Sequence, residues 1–280
     1  MKVHHLNCGT DCPVGGALFD GCSHGLLGRL VCHCLLIETE AGLVLVDTGY
    51  GLRDVQRPSP RLSLTWKAML NIRLREQETA IRQVEALGFS AADVRHIIVT
   101  HLDFDHAGGL EDFPKAVVHV MAAELAEATT HKPGFVSSRR YRPMQLDDVH
   151  TWRTYSGGGE PWFGFEAVRD LDGLPPEILM TPLKGHTVGH AGVAVKDDAG
   201  WLLHAGDAYF YRDEVRRVHP RCTPGLAAYQ NLMEVDREAR LANQARLRAL
   251  SLEHRLDVRM ICTHDAVELA AAQTGRYYGH

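Results

Sequence analysis

The sequence predicts a layered α/β fold, two β-sheets packed face to face with helices outside, built as a single domain over residues 1–280. Three observations carry that expectation. The apolar runs fall into two blocks of short β-rich segments, each interleaved with helical periodicity. No composition break and no repeat of fixed period divides the chain. A length of 280 residues suits one large domain that buries most of its apolar surface.

The elements follow in order. KVHHL near the start is a first strand. VCHCLLIE (31–38) and GLVLVDTG (42–49) are β-rich runs joined at Ala41-Gly42, which reads as a hairpin. In QETAIRQVEALGF (77–89), Ala80, Ile81, Val84 and Leu87 share a helical face, and Gly88 closes the helix. Ser90 and Asp93 form a short capping box. HIIVT (96–100) and AVVHVM (116–121) are strands, and AAELAEA is a helix. Residues 130–165 lack periodicity and are expected to form a substrate-facing loop or cap, or an irregular insertion. ILMTPL (178–183), AGVAVK (191–196), WLLHAGD (201–207) and VRMICTH (258–264) complete the strands. Thr223-Pro224 opens a helix running from about 226 to 252. The mixed apolar and cationic stretch 57–75 is expected to cap the site, cover a sheet edge or form a homodimer contact.

Composition narrows the function classes. A net charge of −5 and a pI near 6.4 argue against a nucleic-acid partner. The run Arg139-Arg140-Tyr141-Arg142 is short and is expected to be a solvated loop. No signal-peptide pattern and no transmembrane-length apolar run stands out, so a cytoplasmic protein without a membrane partner is expected. The seven cysteines form no Cys-x-x-Cys pair. Cys32 and Cys34 are expected to serve as small hydrophobes on one side of a strand.

Four polar motifs end apolar runs. THLDFDHAGG (100–109) packs His101, Asp103, Asp105 and His106 together. GHTVGH offers His186, LLHAGDA offers Asp207, and MICTHDA offers His264. A lone histidine is most often a satisfied core or surface residue, and there are 17 here. The ordered set is harder to assign to chance.

In that order, THLDFDHAGG, GHTVGH, AGDA and CTHD resemble the metallo-β-lactamase superfamily, and within it the lactonase-like branch. The resemblance implies a four-layer αββα sandwich with two divalent metal ions at one edge. His101, Asp103 and His186 would hold the first ion, and Asp105, His106 and His264 the second, with Asp207 bridging. Asp47 of VDTG would orient the ligands. Asp103 departs from the family pattern His-x-His-x-Asp-His. A carboxylate reaches about as far as the Nδ1 it replaces, so Asp103 is expected to serve as a variant ligand. The added negative charge shifts preference toward manganese or iron, yet the histidine-rich set still suits zinc, so zinc is expected, with iron or manganese as the alternative.

The implied activity is hydrolysis of an ester or lactone bond in a small-molecule substrate by a hydroxide bridging the metals. Asp105 would also move a proton. The family's tyrosine falls at Phe210, which cannot donate a hydrogen bond, so Tyr209 is expected to replace it, with Tyr211 as the alternative. An iron-dependent oxidoreductase and a non-catalytic metal-binding module remain as alternatives.

Overall fold

The computed structural model describes residues 1–130 and 134–277. The first sheet contains β1 (Lys2–Asp11), β2 (Leu30–Thr39), β3 (Gly42–Val46), β4 (Ile72–Arg73), β5 (Val94–Ile98), β6 (Val117–Met121) and β7 (Trp152–Tyr155). Its strand order is β4-β1-β2-β3-β5-β6-β7. The second contains β8 (Glu160–Trp162), β9 (Phe165–Asp170), β10 (Ile178–Pro182), β11 (Ala191–Asp197), β12 (Gly200–His204) and β13 (Val258–Ile261), in the order β13-β12-β11-β10-β9-β8.

Strand periodicity explains the layering. In β2 and β3, Leu35, Ile37, Val44 and Val46 point inward and pack against Ile178, Met180, Val193, Val195 and Leu202 of the second sheet. Their alternates, Cys34, Leu36, Leu43 and Leu45, point outward under Ala80 and Val84 of the helix Ala80–Ala86. Both faces are therefore buried, and these strands read as continuous apolar runs rather than alternating ones. On the far side, Leu203, Val258 and Met260 lie beneath Leu247 and Leu250 of the helix Arg237–Glu253. The result is the expected αββα sandwich. Among the described residues, no helix is long and apolar enough to cross a membrane.

Topology then gathers the strand ends. β3 and β5 are parallel, with Val46 opposite Ile98, so both finish at the same edge. β10 and β12 are each antiparallel to β11, and β13 is parallel to β12, so these three also finish together. The two edges meet where Ala191 N donates to Thr100 O at 2.9 Å.

Three expectations are corrected. The segment 130–165 is not uniformly irregular: it carries a helical turn at Ser137–Arg140 and the strands β7 and β8, although 131–133 lie outside the described residues. Those strands are short and mostly exposed, so they lack a readable apolar pattern. The helix expected over 226–252 is two helices, Pro224–Met233 and Arg237–Glu253. The chain breaks because Val235 N and Asp236 N both donate to Gly185 O, while the Asp236 carboxylate caps Ala239 N. Finally, Arg140 and Tyr141 are buried rather than solvated. In the stretch 57–75, Leu62, Trp66 and Leu70 pack on Tyr50 and Phe104, whereas Leu64 and Met69 face solvent.

Candidate metal centre

Six of the seven expected ligands sit on loops at the ends of β5, β10, β12 and β13, and the seventh, His106, closes the β5 loop. All are buried, none more than 5 % exposed. The β5 loop is shaped by Asp47, which follows β3 at φ 56. Asp47 Oδ1 accepts from Thr100 N at 2.7 Å, and Oδ2 accepts from Thr100 Oγ1 at 2.8 Å. His106 Nδ1 lies 2.8 Å from the same Oδ2. Glu124, from the helix Ala122–Ala128, joins two loops by accepting from Leu102 N, Thr187 Oγ1 and Gly189 N.

The ring nitrogens are sorted. His106 spends Nδ1 on Asp47, and His264 Nδ1 donates to Val31 O at 2.9 Å. His101 Nδ1 lies 3.0 Å from Thr100 Oγ1. Fixing Nδ1 in this way leaves Nε2 as the open nitrogen, which orients histidine for a metal. His101 Nε2, His106 Nε2 and Asp207 Oδ1 are buried with no hydrogen-bond partner among the described residues. One ligand atom from each of these three residues falls within 4.8 Å of the others. Burial opposes charge on His106, yet Asp207, Asp47 and Asp105 raise its pKa well above the usual range: the cluster calls for a cation. Uncompensated buried acceptors of this kind fit a divalent ion. Asp207 Oδ2 lies 3.2 Å from His264 Nε2 and 3.5 Å from His186 Nε2, so its carboxylate is the common neighbour of both halves.

His190 holds Asp207 in place: its Nδ1 donates to Leu183 O and its Nε2 accepts from Asp207 N at 2.8 Å. Gly206 makes room for this contact. It adopts φ +55, and a Cβ there would come within 2.5 Å of His190 Nε2.

Asp103 behaves differently from the other expected ligands. His101, Asp103 and His186 do converge within 4.8 Å. Both Asp103 oxygens, however, already accept from Arg140, from Nε at 2.7 Å and from Nη2 at 2.8 Å. Burial opposes ionisation of Asp103, but Arg140 and then His101 hold its carboxyl well below the usual range. Arg140 Nη2 is also 3.0 Å from His186 Nε2.

Other expected residues land elsewhere. Tyr209 is not at the cluster: its hydroxyl donates to Glu268 at 3.0 Å, inside the apolar layer under the helix Arg237–Glu253. With its hydroxyl spent on the buried Glu268, Tyr209 has no open donor for the catalytic role expected of it. Phe210 stacks on His264 with ring centroids 5.1 Å apart. The Tyr211 hydroxyl accepts from Arg212. Tyr229, on the helix Pro224–Met233, packs its ring on Phe210 and Trp66, and burial followed by the charges of Asp105, Asp103 and Asp207 raises its pKa well above the usual range. Cys32, expected as a structural hydrophobe, reaches within 4.8 Å of Asp105 and His264. Burial first, then Asp105 and Asp11, push its thiol pKa well up. All seven cysteines are free thiols.

Sequence reasoning missed Arg140, Glu124, His190 and Tyr229. The GHTVGH motif contained His190. The basic run contained Arg140, and a carboxylate in place of a neutral histidine was itself a signal that a cation should lie nearby.

An αββα sandwich with histidines and carboxylates gathered at one edge defines a metal-binding enzyme scaffold, and sequence comparison supplies the family. The model of the metallo-beta-lactamase superfamily matches residues 27–245. The chain belongs to that superfamily. A probable metallo-hydrolase of Mycobacterium tuberculosis is 41 % identical over 265 residues, covering 95 % of this chain and 80 % of its own. An N-acyl homoserine lactonase of Bacillus cereus is 26 % identical over 236 residues, covering 80 % and 86 %. The solved structure of an N-acyl homoserine lactone hydrolase, with N-hexanoyl-L-homoserine at its catalytic metal centre, superposes with a TM-score of 0.69 at 19 % identity, covering 96 % of this chain and 95 % of the other. The dizinc lactonase AidC gives a TM-score of 0.62 at 16 % identity, covering 94 % and 86 %. With its ligand cluster, this chain is a metal-dependent hydrolase.

Proposed function

We propose that this chain hydrolyses an ester or lactone bond in a small-molecule substrate, with a divalent metal, zinc by preference, as cofactor. The observation that carries the reading is the set of open donors: His101 Nε2, His106 Nε2 and Asp207 Oδ1, with Asp105 and His264 beside them. A divalent ion bound there supplies an acidified water and polarisation of a carbonyl oxygen. Imidazoles mixed with carboxylates suit zinc, and the oxygen content admits manganese or ferrous iron.

The protein's own groups supply the rest. Asp105 Oδ2, 3.7 Å from His264 Nε2, accepts a proton from the attacking water and returns it to the leaving oxygen. The Tyr229 hydroxyl, kept protonated by burial and by the charges of the same carboxylates, donates to the substrate carbonyl oxygen. Phe210 and Trp66 both pack edge-on against the Tyr229 ring and hold it in place. The 26 % identity to a lactonase over most of both chains supports a cyclic or open ester.

The test is a panel of lactones, aryl esters and phosphodiesters on metal-loaded protein. Lactones or esters should be cleaved, and Tyr229→Phe should lower kcat while metal content stays unchanged. Fully metallated protein that leaves every carboxylic ester and lactone intact would overturn the proposal. Oxygen uptake by the iron form would favour the redox reading instead.

A further inference from the structure

We infer that Arg140 stands in for one of the two metal ions, so that this chain holds a single catalytic ion per molecule. The inference deepens the metallo-hydrolase reading and rests on it. It starts from how completely Arg140 is engaged. Its side chain is almost wholly buried. Nε donates to Asp103 Oδ1, and Nη2 lies on both Asp103 Oδ2 and His186 Nε2. Nη1 donates to Met233 O at 3.0 Å and to His186 O at 3.3 Å. A guanidinium has five donors in a rigid fork, and every nitrogen here is spent on an acceptor.

Those acceptors are the decisive point. An ion in the first position needs His101, Asp103 and His186. Asp103 gives both oxygens to the fork, and the His186 ring nitrogen nearest the cluster touches the same Nη2. A metal binds imidazole at roughly 2.1 Å along the ring-nitrogen lone pair. Arg140 Nη2 lies 3.0 Å from that same His186 Nε2, and both side chains are buried, so an ion there would set two positive charges side by side. The backbone carbonyls of His186 and Met233 pin the other end, so the fork has no slack to withdraw.

The rest of the cluster, with His101 free of the first position and shared with His106 and Asp207, has the opposite character. His106 Nε2, Asp207 Oδ1 and His101 Nε2 have no partner among the described residues, and Asp105 and His264 adjoin them. That is a complete donor set for one ion. Charge agrees: Asp103, Asp105 and Asp207 carry three negatives, and one divalent ion with Arg140 returns three positives. Asp103 and Arg140 therefore belong together. The carboxylate in place of histidine is the partner of the guanidinium, and the pair supplies a fixed positive charge where relatives with a dizinc site carry an ion.

Metal stoichiometry tests this without reference to turnover. Wild-type protein equilibrated with excess zinc and passed through a desalting column should retain one ion per chain by elemental analysis. With manganese it should give the electron paramagnetic resonance spectrum of an isolated ion rather than an exchange-coupled pair. The double variant Asp103→His, Arg140→Met removes the buried charges together and restores an imidazole donor. It should retain two ions and show coupling. Wild-type protein retaining two ions, or none, overturns the inference, and so does a folded double variant that still retains one. If the double variant does not fold, the wild-type count decides alone. One ion without ester or lactone cleavage would defeat the proposed substrate class and leave this inference standing; two ions with cleavage would do the reverse.

Discussion

Replacing Asp47 by asparagine tests how the site is oriented, because the change is small and its consequence is specific. The backbone at residue 47 has φ 56, a conformation that asparagine tolerates well. The amide oxygen can keep the bond from Thr100 N. The amide NH2 then faces His106 Nδ1 and Thr100 Oγ1, the two atoms the carboxylate now binds at 2.8 Å. The hydroxyl can turn and accept. The imidazole can accept only by moving its proton to Nε2, the nitrogen that must stay open for an ion. Loss of such a carboxylate–histidine pair weakens metal binding about 10–100-fold, or ~1.4–2.7 kcal/mol. The assay is competition with a chromophoric chelator, with circular dichroism confirming that the variant is folded. A folded Asp47→Asn protein with wild-type metal affinity would refute the tautomer argument.

Two further predictions concern the scaffold. Glu124→Ala should destabilise the protein by at least ~3 kcal/mol in denaturant unfolding, since it strands three buried donors at about 1–3 kcal/mol each. Asp112→Asn should stabilise it in a pH-dependent way. Burial, against a bond from Leu52 N and with Glu111 adding repulsion, raises the Asp112 pKa from 3.8 to about 7. The native state therefore holds that proton where the unfolded state has lost it, and stability falls as pH rises from about 4 to 7. The variant should gain up to ~4 kcal/mol above pH 7 and converge with wild type near pH 4. Equal pH profiles for the two proteins would contradict the assignment.

The frame of the sandwich was legible because β2, β3, β5, β10, β11 and β12 carry apolar side chains on both faces, and such runs stand out locally. The ligand set was legible because each member follows one of those runs or, for His264, the short strand β13. What escaped depends on contacts between residues far apart in the chain. Arg140 pairs with Asp103 across 37 positions, in a segment without periodicity. Tyr229 comes from a helix whose start was readable, but whose facing toward Phe210 and Trp66 was not. The break at Val235 and Asp236 answers to Gly185, which no local window around residue 235 contains. Tyr209 was expected as the neighbour that replaces the family's tyrosine at Phe210, and its side-chain direction is not readable from that spacing. The chain turns after Gly206, and the Tyr209 hydroxyl goes to Glu268.

His264 reaches the cluster only because its other nitrogen is held by Val31 O, in β2 of the opposite sheet, and Thr263 O accepts from His33 N on that same strand. The last ligand is thus aimed by a stitch between the two halves of the molecule. Neither half alone can complete the donor set, because His101 to His106 follow β5 of the first sheet while His186, Asp207 and His264 follow strands of the second. Capture of the ion would then mark the closing of the whole sandwich. Stripping the ion should loosen that seam first, leaving each half-sandwich more exposed to proteases than the loaded enzyme is.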